Sequence, residues 1–221
     1  MTTQEGIGCL NERQVCREAA EERRAILDWI TPFDYVSQQY GFINRRQANT
    51  GQWFLDSNIY QAWLNAKKQT LFCPGIPGAG KTVLTSIVVN DICQRYRDDH
   101  AVGVGYIYCN PKRQDVQRIS DLLASLLRQL AEGQSPLSKP VVDLYGLHKR
   151  KQTRPLLEEI SKILHSVAVS YSKIFILVDV LDECEDVNGC RTRFLSEIFT
   201  IQEKCNLHFL ATARFIPGIS Q

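Results

Sequence analysis

Apolar positions along the chain fall into two rhythms. Over residues 10–30, LNERQVCREAAEERRAILDWI, Val15, Ala19, Ile26 and Trp29 recur at helical spacing among charged residues, with neither Gly nor Pro. The run predicts an amphipathic helix that needs a surface to lie against, ended by Pro32. Residues 1–9 are expected to be disordered. Residues 31–52 mix aromatic, polar and Gly positions and are expected to form an extended linker. DSNIYQAWLNAK then offers Asp56 or Ser57 as an N-cap and puts Ile59, Tyr60, Trp63 and Leu64 on one face of a short helix.

From Gln69 the rhythm changes. TLFCP (70–74) predicts a strand, followed by a glycine-rich loop and a helix over 81–97. VGVGYIYC (102–109) predicts a second strand. The run at 115–133 places Ile119, Leu122, Leu123, Leu126, Leu127 and Leu130 on one helical face. Shorter helices are predicted over 138–147 and, opened by Pro155, over 155–171. KIFILVDV (173–180) is a near-continuous apolar run, the pattern of a central parallel strand covered on both faces. A helix over 191–204 and a fourth strand, LHFLATA (207–213), complete the alternation. Strands separated by helical crossovers imply an α/β fold with a mostly parallel sheet. The organisation expected is a disordered 1–9, a helical and extended pre-core segment over 10–68, and a core over 69–221.

The loop between the first strand and its helix reads Gly75-Ile76-Pro77-Gly78-Ala79-Gly80-Lys81-Thr82 and fits G-x-x-x-x-G-K-[ST]. Glycines let backbone N–H groups converge on an anion, and the helix start adds its partial positive charge. In that pattern Lys81 reaches the β- and γ-phosphates and Thr82 ligates Mg²⁺. The third strand ends in Asp179, at the edge of the sheet where open α/β folds bind ligands, so Asp179 is placed to hold Mg²⁺ as well. Asp182 and Glu183 follow one loop step later and are candidates to orient or deprotonate a water. The fourth strand ends in Thr212 and Arg214, which would emerge at the same edge, Arg214 toward the γ-phosphate. A nucleotide-phosphate site with Mg²⁺ accounts for these residues together.

Composition narrows the setting. A formal net charge of +2 with 23% charged residues is an ordinary soluble surface and makes no case for nucleic acid. The N-terminus has no apolar stretch of a secretory signal, and no window approaches the about 18 apolar residues of a membrane span. Eight cysteines lie scattered without C-x-x-C pairs, and the histidines at 100, 148, 165 and 208 lack ligand spacing, which argues against zinc and for a reduced, cytoplasmic protein. No Asn-Lys-x-Asp run marks a guanine site. Two other readings share the loop: a P-loop phosphotransferase, with the basic run His148, Lys149, Arg150, Lys151 and Arg154 as a lid, and an interaction protein with a vestigial nucleotide site.

The ordered set "TGQWFLDSNIYQAWL", "LFCPGIPGAGKTVL", "FILVDVLDEC" and "FLATAR" resembles the NACHT branch of the STAND signalling P-loop ATPases. The resemblance is to the nephrocystin-like N-terminal module of fungal NOD-like receptors, and it runs from about residue 10 to the C-terminus. It implies a P-loop NTPase three-layer sandwich preceded by an N-terminal helix and linker. Its segments align residues 75–82 with the family's phosphate loop (Walker A), Asp179, Asp182 and Glu183 with an Asp-x-x-Asp-Glu Walker B, and Arg214 with a sensor-1 position. The residue after the Mg²⁺ aspartate, often small in such domains, is Val180. The implied function is an ATP/ADP-controlled switch in innate-immune signalling, with weak hydrolysis, assembling with its own copies or other signalling proteins. The family's further strand, helical and winged-helix domains would lie beyond Gln221, so the core is expected to be C-terminally incomplete, with the 70–74 strand at a sheet edge.

Overall fold

The computed structural model describes residues 3–109, 118–183 and 189–214, apart from the side chains of residues 3–12 and of Glu183. In chain order the elements are α1 (Thr3–Ile30), α2 (Val36–Asn44), α3 (Gln52–Leu55), α4 (Asn58–Asn65), β1 (Thr70–Pro74), α5 (Lys81–Arg95), β2 (Val102–Tyr108), α6 (Ile119–Glu132), α7 (Lys139–Lys151), α8 (Leu157–Val169), β3 (Lys173–Asp179), α9 (Cys190–Lys204) and β4 (Leu207–Ala213). A single 3₁₀ turn, Leu181–Glu183, follows β3.

The four strands form one parallel sheet in the order β1-β4-β3-β2. Burial follows that order. Every position of β4 is buried, and so is every position of β3 except Lys173, which explains their unbroken apolar runs. β1 pairs only with β4 among the described residues, and its two end positions are exposed. The fold class is the α/β three-layer sandwich expected. On one face Phe175 sits among the rings of Trp63 on α4, Tyr96 beyond α5, and His208. On the other face α6, α8 and α9 pack together, with α6 on β2 and α9 on β4.

Two expectations for the N-terminal region need correction. Helix α1 is described from Thr3, where disorder is expected through residue 9; once a helical ladder exists, each further residue adds a hydrogen bond without a new nucleation cost. Its C-terminal end is the anchored part. Ile26, Leu27 and Ile30 are buried, Arg128 on α6 donates to Thr31 O and pairs with Asp28 at 2.9 Å, and Arg154 donates to Trp29 O. The second correction is α2, a helix inside the stretch expected to be extended. Tertiary contacts hold it: Gln39 Nε2 donates to Ser86 O on α5 (2.9 Å), and Phe42 lies 4.8 Å, ring to ring, from Tyr108 on β2. The α4 N-cap is Ser57, whose Oγ accepts the N–H of Tyr60 at 3.2 Å.

Candidate functional site

The site is built at the C-terminal ends of the strands. β1 stops at Pro74, and Gly75 N–H donates to Ala213 O at 3.0 Å, so the loop starts in register with β4. Gly78 and Gly80 then take φ of +80° and +83°, left-handed values that a side chain resists, and this turns the chain sharply into α5. Gly80 is the N-cap of α5, and the first helical N–H groups have no partner within the helix. Lys81 Nζ donates to Gly75 O (2.9 Å) and Ile76 O (3.1 Å), folding back over the loop. The Ile76 side chain stands outward, 77% exposed. Cys73, just before the loop, has its thiol pushed up to about 11 by burial, which leaves it a poor nucleophile at neutral pH.

Asp179, 2% exposed, is the centre of a hydroxyl cluster. Its Oδ2 accepts from Thr82 Oγ1 at 2.6 Å; its Oδ1 accepts from Thr212 Oγ1 at 2.8 Å and from Thr85 Oγ1 at 3.1 Å. Thr85 shares that proton with Lys81 O, also at 3.1 Å. Burial pushes the Asp179 pKa up; the hydroxyls of Thr82, Thr212 and Thr85 and the Lys81 charge pull against it without cancelling it. The cluster ties three elements together: α5 through Thr82 and Thr85, β3 through Asp179, and β4 through Thr212. The hydroxyl of Thr82 donates to the carboxylate and keeps its lone pairs for a cation. That donor set suits Mg²⁺, which takes one or two protein oxygens and completes its shell from phosphate and water. It does not suit an all-protein cage, and no group of three or more His, Cys, Asp or Glu able to hold a metal occurs among the described residues.

Beyond Asp179 the chain takes an unusual step. Val180 has φ +52°, a left-handed conformation that costs a β-branched residue about 1–2 kcal/mol. The N–H of Val180 is held by Thr212 Oγ1 at 2.9 Å. The turn that follows presents Asp182, whose Oδ1 accepts the N–H of Arg214 (2.8 Å) and whose Oδ2 lies 3.1 Å from Arg214 Nε. The structure therefore brings Lys81, Thr82, Asp179 and Thr212 to one edge and pairs Asp182 with Arg214. The side chain of Glu183 lies outside the described residues. Sequence reasoning missed Thr85, although its position three residues after Thr82 puts both hydroxyls on one face of α5. It also missed the link from the site to α2: Tyr108, opposite Asp179 in the sheet register, donates its hydroxyl to Gln39 Oε1.

A parallel α/β sheet with a glycine loop running into a helix defines a P-loop-NTPase-like domain. The chain belongs to the nephrocystin 3 N-terminal family, which matches residues 49–214. No curated protein matches it. Among solved structures it is similar to the ORC2 protein of Aeropyrum pernix in ADPNP-ADP complexes (14% identity, TM-score 0.43, covering 81% of this chain and 41% of that one). It is also similar to Drosophila ORC bound to AT-rich DNA and Cdc6 (14% identity, TM-score 0.37, 90% and 51%). A third is C. elegans PCH-2 (12% identity, TM-score 0.24, 63% and 40%). The chain thus spans roughly half or less of each of these structures. No helix among the described residues is long and apolar enough to cross a membrane.

Proposed function

We propose that the chain is the nucleotide-binding switch module of a NOD-like-receptor-type signalling protein, binding ATP and ADP with Mg²⁺ and hydrolysing ATP slowly. The observation that carries the reading is the 2.6 Å bond from Thr82 Oγ1 to Asp179 Oδ2, which joins the end of the glycine loop to the end of the central acidic strand. That bond sets the Thr82 hydroxyl and the Asp179 carboxylate side by side at the start of α5, where both would reach a cation. A cation carried by a phosphate at the helix start would use that arrangement.

Backbone N–H groups of residues 75–82 and the first turn of α5 would accept the phosphate oxygens. Lys81 would exchange its two carbonyl partners for the β- and γ-phosphates, a stronger charge-assisted pairing. Thr82 and Asp179 would hold Mg²⁺, which neutralises phosphate charge when bound. Of the acidic pair at 182–183, Glu183 is the residue assigned to the attacking water, because Asp182 is engaged with Arg214. Arg214 would sense the third phosphate. A switch of this kind signals by changing its contacts with other copies or other signalling proteins inside the cell. The reading is tested by calorimetric titration of ATP, ADP and GTP with and without Mg²⁺ into the wild type and Lys81→Ala. The expected result is Mg²⁺-dependent binding of adenine nucleotides, with ATP affinity at least about tenfold lower in Lys81→Ala, a loss of about 1.4 kcal/mol. Equal affinity in the two proteins would sink the phosphate-loop assignment.

A further inference from the structure

One carboxylate fastens the turn after β3 to the end of β4. Asp182 Oδ1 takes the main-chain N–H of Arg214 and Oδ2 takes its side chain, at 2.8 and 3.1 Å. The two side chains differ in exposure: 11% for Asp182 and 57% for Arg214. Arg214 also has a defined place relative to the loop. It follows Thr212, which bonds Asp179, by two residues, and the carbonyl of the intervening Ala213 accepts the N–H of Gly75. The backbone of Arg214 is therefore next to the β4 carbonyl that meets the first residue of the glycine loop.

We propose that Asp182 is a positioning residue that sets the preference of the site for ATP over ADP, by competing with the γ-phosphate for the guanidinium of Arg214. The inference rests on the nucleotide reading above and goes beyond it by giving Asp182 a part other than water activation. Two effects act with the same sign. A γ-phosphate must draw the guanidinium away from Asp182 or share it. The negative charge of Asp182 also opposes the triphosphate more than the diphosphate, because the triphosphate carries more negative charge. The pair is weak enough to exchange, since the arginine is more than half exposed and its attraction is partly screened. The bond from the Arg214 N–H to Oδ1 does not depend on where the guanidinium points. It keeps β4 tethered to the 181–183 turn while the side chain changes partner. ADP leaves the pair closed; ATP opens it and releases one oxygen of Asp182, a local change at the turn that also carries Glu183.

The test is titration of Mg-ATP and Mg-ADP into the full chain and its Asp182→Asn, Arg214→Lys and Arg214→Ala variants, with ATP turnover measured in parallel. Asn keeps an acceptor for the Arg214 N–H and removes the charge. Asp182→Asn is expected to raise the affinity ratio of ATP to ADP by about two- to tenfold, in the range of a partly exposed ion pair and a modest coupling. Arg214→Ala is expected to lower the ratio. Arg214→Lys keeps the cation and loses the planar fork that fits the carboxylate, and is expected to hold or raise the ratio. It carries the test if Asp182→Asn fails to fold, in which case a ratio as low as that of Arg214→Ala overturns the proposal. An unchanged or lowered ratio in Asp182→Asn also overturns it; if turnover is lost as well, Asp182 returns to the water. Absence of nucleotide binding in the wild type is a different failure, which removes the phosphate-site reading and this proposal with it.

Discussion

Thr212 Oγ1 donates to Asp179 Oδ1 and accepts the N–H of Val180, and its side chain is wholly buried. Both partners need it. Asp179 is a buried carboxylate whose charge depends on hydroxyl donors, and Val180 is held in a backbone conformation that valine avoids. Thr212→Val keeps the shape and deletes both bonds. It leaves a buried N–H without its acceptor, at a cost of about 1–3 kcal/mol, and takes one donor from a buried carboxylate. We expect a loss of roughly 2–4 kcal/mol in urea unfolding, most of it recovered in Thr212→Ser, which restores the hydroxyl. A loss below about 0.5 kcal/mol, the scatter of neutral surface substitutions, would mean that water replaces the hydroxyl and that the strand end is looser than it looks. At this scale the sequence exposes the residue types but not their pairing. Thr82, Asp179 and Thr212 each stand at an element end that the pattern predicts. That Thr85 completes the cluster, and that Asp182 turns to Arg214 32 residues away, follows only from how β3 and β4 are paired.

Among the elements, the short helix α3 shows how the pre-core segment is fitted to the core. Gly51 is its N-cap, with φ +80°, and a Cβ built there would lie 2.5 Å from Ile87 Cδ1 on α5. Gly51→Ala therefore meets a strained backbone and a crowded neighbour together. Ile87 can yield at its tip, so the expected cost is about 1–3 kcal/mol, read as a lower urea midpoint at unchanged slope. No shift would show that α3 lifts off α5 freely and that this contact does not fix it. The same segment marks the limit of what the sequence discloses. β3 and β4 are legible because strands covered on both faces must be apolar at every position, and the glycine loop is legible because its chemistry needs those residues in that spacing. Helix α2 is not legible. VSQQYGFIN has few good helix formers, and Gly41 lies in its interior. It is helical because Gln39 and Phe42 find Ser86 and Tyr108, residues remote in sequence. The alternation of strands and helices likewise predicts a parallel sheet but not that β4 inserts between β1 and β3, an order set by which crossovers pack.

For the whole molecule, the buried carboxylate of Asp179 links fold stability to pH and to ligand. Its folded pKa is raised above the ordinary carboxylate value, mainly by burial. A group shifted in that direction contributes stability that is fully present below its unfolded pKa and is lost as pH rises through its folded pKa. Without nucleotide, the chain should therefore lose part of its stability as pH rises from the usual carboxylate value through the raised pKa of Asp179. Asp179→Asn, which keeps one acceptor oxygen for Thr212 and Thr85, offers an amide donor to Thr82 Oγ1 and has no charge to bury, should lack that loss and be the more stable protein at neutral pH. With Mg-ATP the order should reverse. Binding to the folded state alone adds about 2.7 kcal/mol at a ligand concentration of 100 times Kd, and the asparagine variant, lacking the anionic oxygen for Mg²⁺, should gain much less. The gain in wild type should itself shrink as pH falls through the raised pKa, because Mg²⁺ needs the deprotonated carboxylate. Thermal melts of both proteins between about pH 4 and pH 8, with and without Mg-ATP, separate these effects. Parallel pH curves without nucleotide would remove Asp179 as the titrating group. An equal Mg-ATP gain in both proteins would remove it as the cation ligand, even if the loop still binds phosphate. The two outcomes are independent because the first concerns the cost of burying a charge and the second concerns what that charge is there to hold.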